Sequence, residues 1–168
     1  MQWLTDIFSS TSDQARLVTT IFAAIIAVSV VLLNQWYGSR RARKEKLINK
    51  IEELYIEIRS IEEHQTNIDQ AIFSNSLSDS KNVNVDELFK NLNKSGSQAS
   101  MLAMLYFNSL VENISNLRNV HTDIYLCHQK SDGYDDYVEK NKVFETELET
   151  LYSDIHEQIV SLMKKIMH

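Results

Sequence analysis

The sequence predicts an all-α protein: one N-terminal transmembrane helix continuing into a cytoplasmic antiparallel bundle of three long helices and one short one. Three observations carry this expectation. Residues 17–33, LVTTIFAAIIAVSVVLL, contain no charged side chain. The 168 residues include no proline and only Gly38, Gly96 and Gly133 as glycines, so little interrupts the backbone. Downstream, apolar residues recur at three- and four-residue spacing, as on a helix with one buried face. No segment shows the period of two expected of a half-buried strand.

Residues 1–16 are expected outside the cytoplasm, with Trp3, Leu4, Ile7 and Phe8 in an interfacial half-turn or two. Residues 17–37 form the span. At a rise of ~1.5 Å per residue, residues 17–33 cover about 25 Å and residues 17–37 about 31 Å, against a hydrocarbon core of ~30 Å. Trp36 and Tyr37 then fall at headgroup depth, where amphipathic rings settle. Residues 38–46 form a basic flank in which Arg40, Arg41, Arg43, Lys44 and Lys46 are interrupted only by Glu45. With Trp36 and Tyr37, these are the expected lipid-headgroup contacts. The N-terminal side offers only Asp6, Asp13 and Arg16, so the positive-inside rule puts the N-terminus outside and the body in the cytoplasm, on the inner (plasma) membrane. A cleaved signal peptide would carry its positive charges before the apolar run and a small-residue cleavage site after it, whereas here the basic cluster comes after the run and NQWYGSRR is a poor cleavage site. A buried core helix is the plain alternative for a run this short. One face of the span carries Thr20, Ala23, Ala24, Ala27 and Asn34. Small residues let membrane helices approach closely, and an amide bonds between them, so this is the candidate self-association face.

Residues 47–168 form the body. Leu47, Ile51, Leu54, Ile58, Ile61, Gln65, Ile68 and Ile72 follow a 4-3-4-3 spacing, a heptad seam with one polar member. It is read as a stalk or oligomer seam, packing either within the chain or between chains. Ile48 and Tyr55 widen it. Residues 74–84, rich in Ser and Asn, read as a loop. A short helix follows over residues 86–93 with Leu88, Phe89 and Leu92 inside, then a break at residues 94–97. A long helix is expected over residues 99–129, its inner stripe running through Leu102, Leu105, Tyr106, Ser109, Leu110, Ile114, Leu117, Val120, Ile124 and Cys127. Gly133 suits a turn with positive φ. The last helix covers residues 135–167, with Phe144, Leu148, Leu151, Ile155, Ile159, Leu162 and Ile166 inside.

Charge is unevenly placed. The net charge is −6, yet residues 38–46 are strongly basic, while residues 47–168 carry eleven basic against twenty acidic side chains. The flank attracts anionic lipid, and the acidic body disfavours a broad nucleic-acid-binding face. The single cysteine, Cys127, precludes an intrachain disulfide framework and reads as a structural thiol.

Few residues promise catalysis. Phosphate-loop, Cys/His and His-Glu-x-x-His patterns are missing, so neither metal nor cofactor is expected and no small-molecule substrate is evident. Of the five histidines, His64, His121, His128, His156 and His168, the pair His121 and His128, one heptad apart, read as solvated or capping side chains, while Glu63 beside His64 and Glu157 beside His156 are helix neighbours that do not face them. Arg59-Ser-Ile-Glu-Glu-His64 fits Arg-x4-His, whereas Arg118 and His121 are spaced too closely. The pattern resembles the motif of HEPN domains, small all-α bundles, many of them ribonucleases that pair two motifs across a dimer. The resemblance implies a catalytic pair, Arg59 stabilising a phosphate anion and His64 acting as acid or base at a 2′-hydroxyl. The family usually carries its motif on a late helix, whereas Arg59 lies on the first helix of the body.

The layout gives a second resemblance. A short N-terminus, one span, the phrase QWYGSRRARKEKLINKIEELYIEI and a helical, HEPN-like body look like small bacterial single-pass membrane proteins such as the accessory proteins of type VI CRISPR loci. That resemblance implies an oligomeric inner-membrane pore in antiviral defence, gated by its cytoplasmic domain. The expected partners are membrane lipids, further copies of the chain in an oligomer of more than two, and a cytosolic protein or RNA trigger. The competing readings are a membrane-tethered HEPN-type ribonuclease and a membrane-anchored scaffold that docks a cytosolic partner.

Overall fold

In a computed structural model, the structure describes residues 11–77 and 83–167, apart from the side chain of Asp13. Trp3, Leu4, Ile7 and Phe8 lie outside the described residues, and so does His168. Among the described residues there are four α-helices and no strand. They are α1 (Thr11–Leu77), α2 (Val85–Tyr106), α3 (Val111–Gln129) and α4 (Tyr134–Met167), with a single 3-10 turn at Asn108–Leu110 between α2 and α3.

The chain separates into two compact units, Met1–Glu45 and Lys46–His168. In the first, the described residues are all helical, and those whose side chains are described are all exposed. The second has a single apolar core fed by every helix. Ile51, Leu54, Ile58 and Ile68 of α1, Ala99 and Ala103 of α2, Ile114, Leu117 and Ile124 of α3, and Ile155 of α4 are fully buried in it.

Side-chain contacts record which helix meets which. From α1, Ser60 reaches Ser95 of α2 (3.2 Å), while Tyr55 and Phe73 meet His156 and Tyr134 of α4 (ring centroids 5.7 and 5.4 Å). From α3, Arg118 reaches Ser100 of α2 (3.4 Å), Tyr125 reaches Asp86 of α2 (3.2 Å), and His121 meets Tyr152 of α4 (3.3 Å).

Local chemistry explains the helix ends. Asn84 caps α2 by accepting from the Glu87 N–H (3.2 Å), and Asp86 and Glu87 sit in the first turn, where the helix dipole favours negative charge. Gly133, at φ +156°, makes the turn into α4. There Asp136 accepts from the Asp132 N–H (3.0 Å) and pairs with Lys140 (2.6 Å). Asn75 binds both backbone groups of Val83, its amide donating to the carbonyl and its own carbonyl accepting the N–H, each at 2.9 Å.

Four sequence expectations need correction. The Ser/Asn stretch begins as helix, because α1 continues to Leu77, with Ser76 bonding back to the Phe73 carbonyl (2.6 Å). Residues 94–97 do not break the chain. Gly96 lies inside α2, where a Cβ would stand 3.3 Å from the Arg118 Cγ, so its smallness serves close packing. The break falls instead at Phe107, which leaves the helical region (φ −137°, ψ 64°) and is only 4% exposed. The expected short and long helices therefore become two of similar length, 22 and 19 residues. Leu105 and Ser109 are exposed, off the inner stripe they were assigned to. Tyr55 is likewise exposed at 44%, so it does not widen the seam.

Candidate functional site

In the Met1–Glu45 unit the described residues present an apolar helix, and none of its described side chains is buried. The stretch holding residues 17–33 is exposed throughout, and among the described residues one helix is long and apolar enough to cross a membrane. Its hydroxyls are satisfied within the helix. Thr19 donates to the Ala15 carbonyl (2.7 Å), Thr20 to Arg16 (2.8 Å) and Ser29 to Ile25 (2.8 Å). Back-bonding of this kind lets a hydroxyl sit in an apolar medium without an orphaned donor. Thr20, Ala23, Ala24, Ala27 and Asn34 fall on one side, given ~100° of turn per residue. Because α1 is unbroken at Gly38, the same arithmetic adds Val31 and Gly38 to that face, and nothing lies within 4 Å of a Cβ built at Gly38. Sequence reasoning stopped at Asn34 although the period already pointed one turn further.

At the end of the apolar run, the Arg40 guanidinium stands 4.1 Å from the centre of the Trp36 ring, a cation–π contact. Trp36 and Tyr37 meet edge to face at 5.0 Å. Arg41 pairs with Glu45 (2.8 Å), and Arg43 and Lys44 are exposed. Together they stack an indole, a phenol and several cations within about three turns of helix, a composition suited to a headgroup layer. Lys46 belongs to the second unit, where its Nζ lies 5.8 Å from the Tyr106 ring.

The seam lies inside the second unit. Ile51, Leu54, Ile58, Ile61, Gln65, Ile68 and Ile72 are buried in the chain's own core, and Leu47 is half-buried at its edge. These side chains are therefore occupied within one chain, and the picture of an open oligomer seam gives way to an intramolecular one.

Gln65, the seam's polar member, anchors a buried network that sequence reasoning missed. Its amide donates to both oxygens of Asp69 (3.1 and 3.2 Å), and the Tyr137 hydroxyl of α4 donates to Asp69 Oδ1 (3.1 Å). Burial raises the Asp69 carboxyl above its ordinary range, although both hydrogen bonds act to lower it. Burial also raises the Tyr137 phenol, helped by the Asp69 charge. Asn141 is buried beside the same core, and its Oδ1 and Gln65 Oε1 find no hydrogen-bond partner among the described residues. An amide at position 65 of an otherwise apolar seam was the only available signal.

His121 also differs from the sequence reading. It is 2% exposed, so it is neither solvated nor capping. Its Nδ1–H donates to the Leu117 carbonyl (2.7 Å) and its Nε2 accepts from the Tyr152 hydroxyl (3.3 Å), which fixes the neutral ring. Burial lowers its pKa to about 4. His128 is partly buried and lowered for the same reason, with its ring near Phe89 and Tyr137.

Arg59 and His64 do not converge. Five residues apart, they sit ~140° apart around the helix axis. Arg59 is exposed and pairs with Glu62 (2.8 Å), while His64 Nε2 meets the Ser60 hydroxyl (3.3 Å). An open surface hollow of about 650 Å³ touches Tyr55, Arg59, Ser60 and Glu62, and His64 is not among its lining residues. Among the described residues no cluster of three His, Cys, Asp or Glu side chains could hold a metal ion. Cys127 is half-buried beside the core.

Comparison with protein-family models, with curated proteins and with solved structures finds no match for this chain.

Proposed function

We propose that this chain is a single-pass inner-membrane effector whose spans gather into an oligomer of more than two copies and perturb the bilayer as a pore, held and gated by a cytoplasmic antiparallel helical bundle. The observation that carries this reading is the exposed apolar helix of the first unit, which a basic aromatic flank follows. Apolar surface of this extent, left uncovered by the described residues, calls for lipid or for further spans. The face from Thr20 to Asn34 favours further spans as part of the answer, since close approach is what small residues permit. Like contacts repeated around an axis close into a ring. The flank supports an outside N-terminus and a cytoplasmic body.

The antiparallel arrangement is supported by contact order. Along α1, Tyr55, Asp69 and Phe73 meet His156, Tyr137 and Tyr134 in descending order, and along α3, His121 and His128 meet Tyr152 and Tyr137 in the same sense. Bacterial antiviral defence, with a cytosolic protein or RNA as trigger, is the setting that the architectural resemblance implies.

The test is mass photometry of the detergent-solubilised chain together with membrane potential in cells expressing it. High-order oligomers and depolarisation on activation are expected. A monomer at all concentrations with an unchanged potential overturns the reading. A specific cytosolic partner without any change in permeability would favour the scaffold instead.

A further inference from the structure

The body carries an exposed apolar patch of its own where the chain enters it. Met101, Met104 and Leu105 occupy one side of α2 at i, i+3, i+4 spacing and are 55%, 67% and 65% exposed. They lie in a stretch, residues 95–111, without a single charged side chain, in a body otherwise dense with charge. Val143 of the body's long last helix is also strongly exposed, at 72%, but sits among Glu139, Lys142 and Glu147 instead. The patch has a cation for a neighbour. Tyr106, the next residue after Leu105, has the Lys46 Nζ 5.8 Å from its ring, and Lys46 is the last basic residue of the flank. Residues 38–46 alone separate Tyr37 from the body, at most about 30 Å of chain even if fully extended. The patch is thus tethered close to any bilayer that holds the span.

We propose that Met101, Met104 and Leu105 form a second, peripheral membrane contact, inserting at the headgroup–acyl boundary of an anionic lipid surface with Lys46 facing the headgroups. This inference rests on the membrane reading above. Unbranched and branched aliphatic side chains beside a cation are the chemistry of interfacial helices, which combine apolar burial with attraction to anionic lipid. Methionine adapts to such a disordered medium without a shaped partner. The contact would fix the orientation of the body against the bilayer, and its release would free the body to move.

The full chain, with Cys127→Ser, is placed in nanodiscs containing a phosphatidylglycerol fraction, with one environment-sensitive fluorophore on Met104→Cys, Val28→Cys or Val143→Cys. The expected result is that the labels at 28 and 104 are blue-shifted and quenched by spin-labelled lipid, with iodide quenching several-fold weaker than at 143. A shielded label at 28 with a label at 104 as open to iodide as that at 143 overturns this inference and leaves the span reading intact. An iodide-accessible label at 28 overturns the span reading, and this inference with it. Shielding at 104 that ignores the lipid quencher and grows with the number of chains per disc assigns the patch to a second copy and overturns the lipid contact.

Discussion

One helix passes through two different environments. The side chains described in residues 11–45 of α1 are all exposed, and between positions 17 and 33 the helix is apolar on nearly every side. Residues 46–77 of the same helix are charged on one side and fully buried on the other, with Ile51, Leu54 and Ile58 at zero exposure. The contrast shows that periodicity, rather than total apolarity, tells what an apolar residue is for. A stripe at 3.6-residue spacing is closed by the chain's own helices, whereas apolarity around the whole circumference needs a solvent that is itself apolar. The polar insertions follow the same rule. Hydroxyls in the first stretch bond back to their own helix, while Gln65 in the second finds Asp69 and, through it, Tyr137 of α4.

The contrast is sharpest when the two stretches are mutated in parallel. Leu54→Ala should cost about 2–5 kcal/mol of body stability, as expected for a fully buried leucine, while Val28→Ala leaves the body unchanged. Denaturant unfolding of the solubilised chain, followed by circular dichroism, reads the difference. Equal effects would mean that the first stretch is packed after all. Ile26→Lys should cost about 3 kcal/mol of membrane insertion and shift the chain out of the membrane fraction without lowering the body's unfolding midpoint.

The next effect belongs to the buried stretch's surroundings and depends on pH. His121 is neutral in the fold, its pKa lowered from the ordinary 6.5 to about 4. The unfolded chain therefore binds the extra proton first as pH falls. His121 contributes its stability in full above about pH 6.5 and loses up to about 3 kcal/mol as pH drops to about 4. Asp69 acts in the opposite sense. Its carboxyl is raised, so just above its ordinary value the fold binds the proton that the unfolded chain has released, which partly offsets the loss. Unfolding midpoints across this range should fall with acidification in the parent and flatten in His121→Gln. A smaller effect of about 1 kcal/mol is expected for Asn84→Ala, which removes the cap of α2, again by denaturant unfolding.

Much of this was legible before any coordinates. The uncharged run and the absence of proline are read directly, and spacing alone marks the seam as one apolar face, while leaving open whether the same chain or another copy covers it. The misses have particular physical causes. Gly96 reads as a break, but backbone freedom and small size are written with the same residue, and only the Arg118 side chain lying over it tells them apart. Phe107 ends a helix with no glycine or proline nearby, because burying its ring outweighs continuing the helical dihedrals; no local signal marks such a site. Leu105 fits the helical stripe, but the inward face of α2 runs through Ala99, Leu102 and Ala103 and leaves it exposed. His121 and Tyr137 are buried polar side chains whose partners stand 31 and 68 positions away, beyond the reach of a periodic pattern. For the candidate site, the flank and small-residue face could be read from composition, whereas Arg59 and His64 matched a spacing that the helix turns to different sides.

The central claim is that the uncovered stretch of α1 lies in lipid. Amide hydrogen exchange of the full chain in nanodiscs tests it most directly. If residues 17–37 are in the bilayer, their amides stay protected while the helical flank at residues 40–45 exchanges within the measurement. Exchange of residues 17–37 as fast as that of the flank would contradict it.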